Sequence, residues 1–172
     1  RQNLVEILRK LAHKEETRSG SSSSGDEQTG SNGEYKLVAV SRVLVAEDNL
    51  INQDVVKTIL EKNCHSVDLV GTGSAVLKKL QSEEYDLILM DIQMPEMDGM
   101  TATREIRLHE AAMGAPRTPV VMLTANALPE HMQAAHDAGA DHHLAKPFGA
   151  EALIDLVTTL ARTPARMEEA AA

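Results

Sequence analysis

The sequence is poor in the residues that usually announce a chemistry. It has one cysteine in 172 residues, Cys64, so no disulfide can form within the chain and no thiolate zinc site or iron–sulfur cluster can be built from it. Tryptophan is absent and aromatics are only 2% of the chain (Tyr35, Tyr85, Phe148), which leaves almost no platform for stacking nucleobases. Positive charge is also scarce: 17 Lys and Arg stand against 26 Asp and Glu, giving a formal charge of −9 that repels phosphate backbones and anionic lipid headgroups. No apolar run approaches the roughly 20 residues that span a bilayer, and no secretory leader pattern opens the chain. A soluble, cytoplasmic chain with no nucleic-acid ligand and no membrane contact is expected.

What is present is aliphatic and alternating. Residues 17–34, TRSGSSSSGDEQTGSNGE, hold no aliphatic or aromatic side chain and cannot bury enough surface to offset the entropy of ordering them, so 17–40 is expected to be a flexible linker. From residue 41, apolar runs and amphipathic segments alternate. The runs are RVLVAED (42–48), SVDLV (66–70), DLILMD (86–91), PVVMLTA (119–125) and HHLAK (142–146). Between them lie a helix capped by Asn49 with Ile51, Val55, Ile59 and Leu60 at helical spacing, a helix carrying Val76, Leu77 and Leu80, and helices over 101–113 and about 129–138. A last helix follows near 149–162. Five βα units predict an α/β, doubly wound, flavodoxin-like parallel sheet of five strands in the order 2-1-3-4-5, with helices on both faces. The domain is expected over 41–162, with 163–172 as a tail too short to form a DNA-binding output module.

In such a sheet the C-terminal ends of all strands share one edge, where ligands bind. That edge receives Glu47 and Asp48 from strand one, Asp91 from strand three, Thr124 from strand four and Lys146 from strand five. Carboxylates converging within a few ångströms cannot all stay ionised unaided, and a hard divalent cation, Mg²⁺, is the natural relief. Acids, a metal, a hydroxyl and an ammonium around one pocket suit phosphoryl transfer, in which positioning and charge neutralisation supply most of the catalysis. Glu96 and Asp98, in the loop that follows, are read as solvated acids, with Asp98-Gly99 turning the chain into the next helix.

The stretches VLVAEDN, LILMDIQMPEMDG, PVVMLTANA and HHLAKPF, in this order and at these intervals, resemble the receiver domain of two-component response regulators. The resemblance implies that Asp91 accepts a phosphoryl group from a phosphohistidine on a histidine kinase or histidine phosphotransfer domain. It implies that Asp48, Asp91 and the backbone carbonyl of Gln93 ligate Mg²⁺, with Glu47 assisting through a water. Thr124 would hydrogen-bond the phosphoryl group, Lys146 would pair with it, and Pro147 would be the family's cis proline. At the family's aromatic switch position this chain has His143, polar and titratable, so a weaker or pH-sensitive switch is open there.

Gln93 together with TANAL is most similar to receivers carried at the C-terminus of hybrid histidine kinases. Residues 1–16 fit that picture. Leu4-Val5-Glu6-Ile7-Leu8 matches Leu153-Ile154-Asp155-Leu156-Val157, so the segment reads either as a chance amphipathic helix or as the last helix of an upstream receiver-like domain in a longer chain that could also hold kinase domains. The domain would catalyse only its own phosphorylation and dephosphorylation. Two alternatives remain at this stage. A haloacid-dehalogenase-type phosphatase would need a carboxylate two residues after Asp91, where Gln93 stands. A degenerate receiver acting only as a binding module would lack site residues that are all present. The seven histidines form no ligand spacing: His131 and His136 do not stack on one helical face, and His142 and His143 point to opposite faces of a strand.

Overall fold

The computed structural model describes residues 40–125 and 128–161. The expectations for residues 1–16, most of the 17–40 linker, Asn126 and the 163–172 tail lie outside the described residues.

Five parallel strands form one sheet in the order β2-β1-β3-β4-β5. They are β1 (Arg42–Ala46), β2 (Ser66–Val70), β3 (Leu87–Asp91), β4 (Val120–Thr124) and β5 (His142–Ala145). The helices are α1 (Leu50–Lys62), α2 (Gly73–Leu80), α3 (Gly99–Met113), α4 (Pro129–Asp137) and α5 (Ala150–Leu160). Fold class and strand order are those the alternation predicts, and every strand lies within the expected run.

Alternate residues of the central strands face opposite layers. Leu44, Ile88, Met90, Val120 and Met122 pack with Val76 of α2, Ala102 and Ile106 of α3 and Ala135 of α4. Val43, Val45, Leu87, Leu89, Val121 and Leu123 pack with Val56 and Leu60 of α1 and with Leu153 and Val157 of α5. Covering both faces is why β1, β3 and β4 read as continuous apolar runs rather than alternating ones. The edge strand β5 has both His142 and His143 exposed.

Two helices depart from expectation. In α1 the buried residues are Gln53, Val56 and Leu60, whereas Ile51 is 74% and Val55 51% exposed. The helix carries two apolar stripes, and the sequence pattern alone does not say which of them meets the sheet. Helix α3 begins at Gly99, two residues early, because Asp98 is its N-cap: its Oδ1 accepts from Thr101 N–H at 2.9 Å and its Oδ2 from the Thr101 hydroxyl at 2.8 Å. Asp98 is thus a structural acid and not merely a solvated one, while Glu96 is exposed in the left-handed region at φ 64°.

Candidate functional site

Glu47, Asp48, Asp91, Thr124 and Lys146 sit where strands stop. Parallel register pairs Ala46 with Met90, and Asp91 with Leu123, so the residues just beyond β1 and the last residues of β3 and β4 are neighbours. Glu47, Asp48 and Asp91 offer carboxylate oxygens that all lie within 4.8 Å of one another. Glu47 and Asp91 are buried and Asp48 is exposed, so the cluster opens to solvent on the Asp48 side.

Lys146 bridges the two buried acids. Its Nζ donates to Asp91 Oδ2 at 2.7 Å and to Glu47 Oε2 at 2.5 Å. The Lys146 backbone N–H donates to the Thr124 carbonyl at 2.7 Å, which holds the end of β5 beside that of β4; the Lys146–Pro147 bond is cis. Thr124 itself is 5% exposed at the end of β4. Gln93 is exposed, its backbone N–H donating to Asp91 Oδ1 at 3.3 Å. His143 lies on the open side of β5, opposite Met122 in register.

The electrostatics follow from burial against pairing. Burial raises the Asp91 carboxyl above its ordinary value; the Lys146 bond offsets part of this, and the nearby Glu47 charge adds to it. Burial also opposes ionisation of Glu47, but there the bonds from Lys146 and Asn52 prevail and hold the carboxyl below its usual range. For Lys146, burial favours the neutral amine, and the bonds to Asp91 and Glu47 outweigh it, so its ammonium persists to higher pH than usual. Three carboxylates against one ammonium leave an uncompensated negative site made of hard oxygen donors. That donor set fits a divalent cation such as Mg²⁺.

Two glycines allow the loop after β3 to pack closely against its neighbours. A Cβ on Gly99 would lie 2.1 Å from the Asp91 carbonyl oxygen, and one on Gly73 would lie 2.7 Å from the Met97 carbonyl oxygen. Gly99 N–H donates to the Ile92 carbonyl, and Gly73 N–H to that of Met97, at 3.0 and 3.1 Å.

Two residues at the site carry no signal in the motifs. Asn52 Nδ2 donates to Glu47 Oε1 at 2.9 Å, and Gln53 Nε2 to the Glu47 carbonyl at 2.5 Å. Their positions five and six residues after Glu47, on the turn facing it, are the only hint the sequence holds. A separate cavity of about 580 Å³, lined by Arg42, Tyr85, Ile106 and Glu105 among others, includes none of these residues. No described helix is long and apolar enough to cross a membrane.

Comparison with known proteins matches residues 43–158 to the family described as response regulator receiver domain. The sensory/regulatory protein RpfC of Xanthomonas campestris pv. campestris is 39% identical over 120 residues, which cover 70% of this chain and 16% of RpfC. The chain thus spans about a sixth of that relative's length. Among solved structures, the receiver domain of the sensor histidine kinase PA1611 from Pseudomonas aeruginosa PAO1, with a magnesium ion in its active-site cleft, is 37% identical. It aligns with a TM-score of 0.64, covering 71% of this chain and 98% of that one. The co-crystal of the Saccharomyces cerevisiae histidine phosphotransfer protein Ypd1 with the receiver domain of its downstream response regulator Ssk1 matches at 30% identity. Its TM-score is 0.70, with 73% of this chain and 92% of that one covered.

Proposed function

The chain belongs to the response regulator receiver domain family of two-component signalling, and from that premise we propose that Asp91 is its phosphoacceptor, taking a phosphoryl group from a phosphohistidine. The observation that carries the reading is the Lys146 bridge, Nζ to Asp91 Oδ2 at 2.7 Å, on the rim of a three-carboxylate cluster.

In the transfer, an ionised Asp91 oxygen attacks phosphorus as the P–N bond to the donor imidazole breaks, leaving an acyl phosphate on Asp91 and the electron pair on the imidazole nitrogen. Asp48, Asp91 and the Gln93 carbonyl would hold Mg²⁺, with Glu47 assisting. The cation would supply neutralisation of the charge on the transferring oxygens. Lys146, already beside Asp91, is placed to follow the new phosphoryl oxygens. Thr124, one residue past the register partner of Asp91, would offer its hydroxyl to them. His143 would answer the movement of Thr124 as the switch residue, from an exposed starting position.

Leu50, Ile51 and Val55 are 73%, 74% and 51% exposed on α1, the helix that starts beside the site. An apolar face next to a phosphoacceptor suits the docking of a histidine phosphotransfer or kinase domain, the kind of assembly seen for Ssk1 with Ypd1. The parent protein on this reading is a hybrid histidine kinase, and the domain works in the cytoplasm.

The test is exposure of the chain to acetyl phosphate or beryllofluoride with and without Mg²⁺, alongside Asp91→Asn. The native chain is expected to acquire phosphate or analogue only with Mg²⁺, and the variant not at all. Equal behaviour of the two would remove Asp91 from its role.

A further inference from the structure

Glu47 is the most buried acid of the cluster, at 1% exposure, and its backbone and side chain are both fixed. Its N–H donates to the Val70 carbonyl at 3.0 Å, which ties it to β2. Its carbonyl accepts from Gln53 Nε2 at 2.5 Å. Carboxylate Oε1 accepts from Asn52 Nδ2 at 2.9 Å and from Asn49 N–H at 3.3 Å, while Oε2 accepts from Lys146 at 2.5 Å. The hydrogen bonds to Oε1 and to the carbonyl therefore come from Asn49 and the first turn of α1.

Helix formation does not require the two amide contacts. Asn49 already caps α1, its Oδ1 accepting from Ile51 N–H at 2.9 Å and from Asn52 N–H at 3.3 Å. The Asn52 side chain is free to point into water, yet it turns back onto a buried acid. Gln53 is the one polar residue among the buried positions of α1, where an aliphatic residue would pack more cheaply.

A carboxylate held only by Lys146 could rotate both oxygens toward the ammonium. That would close the Lys146–Glu47 pair more tightly and draw the lysine away from Asp91. A neutral amide on Oε1 opposes this rotation without cancelling the negative charge that attracts a cation. A carboxylate has about four lone-pair directions; Asn52 and the Asn49 N–H take the two on Oε1 and Lys146 takes one on Oε2, which fixes where the remaining direction on Oε2 points.

We infer that Asn52 and Gln53 are positioning residues for the divalent cation: they fix the side chain and backbone of Glu47 so that its one unused lone-pair direction faces Asp48 and Asp91. The inference rests on the Mg²⁺ reading above. Neither amide touches the cation or the phosphoryl group; both act through Glu47.

The test is calorimetric titration of Mg²⁺ into the chain and into its Asn52→Leu and Gln53→Leu variants, with the thermal midpoint of each measured in chelator. Asn52→Leu keeps side-chain size at an exposed position, so its metal-free midpoint is expected to stay close to native while Mg²⁺ binding weakens by about tenfold or more, the usual loss for a group that orients a metal ligand. Native Mg²⁺ affinity in Asn52→Leu overturns the inference, and so does a loss of affinity that only tracks a loss of folded protein in chelator. Native affinity in Gln53→Leu removes Gln53 from it. If the native chain itself takes up no Mg²⁺, the metal reading falls and this inference with it; if the native chain binds and Asn52→Leu binds equally, only this inference falls.

Discussion

A single side chain can hold two like charges together, and Lys146 does so here between Glu47 and Asp91. Burial disfavours the ions on Glu47, Asp91 and Lys146 alike, and the shared ammonium is what makes the two buried carboxylates tolerable together. Lys146→Ala is expected to leave Mg²⁺ uptake intact, since the oxygen donors remain. Amide chemical shifts around Thr124 should then respond poorly to beryllofluoride compared with the native chain. Matching shift changes in the two proteins would take away the coupling role of the lysine.

His65 gives a residue-scale prediction away from the site. It is 4% exposed, its Nδ1 accepts from Ser41 N–H at 3.3 Å, and its Nε2 has no hydrogen-bond partner among the described residues. Burial pushes the imidazole below its ordinary value. In the unfolded chain it protonates near pH ~6.5, whereas the folded chain resists protonation until lower pH. The unfolded state therefore binds more protons in that window, and stability is lost as pH falls below about 6.5. Urea midpoints at pH 7.5 and 5.5 should differ more for the native chain than for His65→Gln. An equal difference would mean that other groups carry the acid sensitivity.

At the scale of elements, the strands were legible because a central strand covered on both faces has no polar option until it ends. The polar residue that ends it is then the one at the site. Leu89 illustrates the cost of breaking such a run: it is fully buried between α1 and α5, and Leu89→Ala is expected to destabilise by about 2–5 kcal/mol in denaturant unfolding. Asp98→Ala, which removes the N-cap of α3, should cost about 1 kcal/mol. No loss in that variant would demote the cap to an incidental contact.

Helix α1 was less legible. Leu50, Ile51, Val55, Val56, Ile59 and Leu60 give it apolar residues on two sides, and which side meets the sheet depends on contacts made elsewhere in the fold. Asn52 and Gln53 were invisible for the same reason: an amide's partner is a matter of three-dimensional placement, and nothing local demands it. The exposed stripe carries its own consequence. Ile51→Ser should leave acetyl-phosphate labelling unchanged and slow transfer from a phosphorylated histidine phosphotransfer domain, read as the ratio of the two rates. An unchanged ratio would place the docking face elsewhere.

On the scale of the whole molecule, one topological fact organises the site. In a parallel sheet of order 2-1-3-4-5, strands 1 and 3 are neighbours, so acids that are more than 40 residues apart in the chain meet at one edge. The doubly wound sheet followed from the βα alternation, its strand order is the usual one for five such units, and the pairing of strands 1 and 3 at the edge followed from that order. The Asn49 cap was legible in the sequence and the structure bears it out, whereas the phase of α1, the Asp98 cap and the amide contacts to Glu47 came only with the structure. The opposite edge is occupied differently: Arg42 pairs with Asp68 and Glu83 and lies 4.7 Å over the Tyr85 ring, tying β1, β2 and the approach to β3 together. Anchoring of that end leaves the C-terminal edge as the one where charges are grouped but incompletely compensated.

The central claim is that a phosphoryl group passes from histidine to Asp91. The most direct measurement is incubation of the chain with a phosphorylated histidine phosphotransfer domain and Mg²⁺, borohydride reduction of the resulting acyl phosphate, and peptide mass spectrometry to locate the reduced carboxyl. Reduction confined to position 91, and absent when Mg²⁺ is chelated, is the expected result. Reduction at Asp48 or another acid, or a donor that loses its phosphate with no residue of this chain reduced, would contradict it.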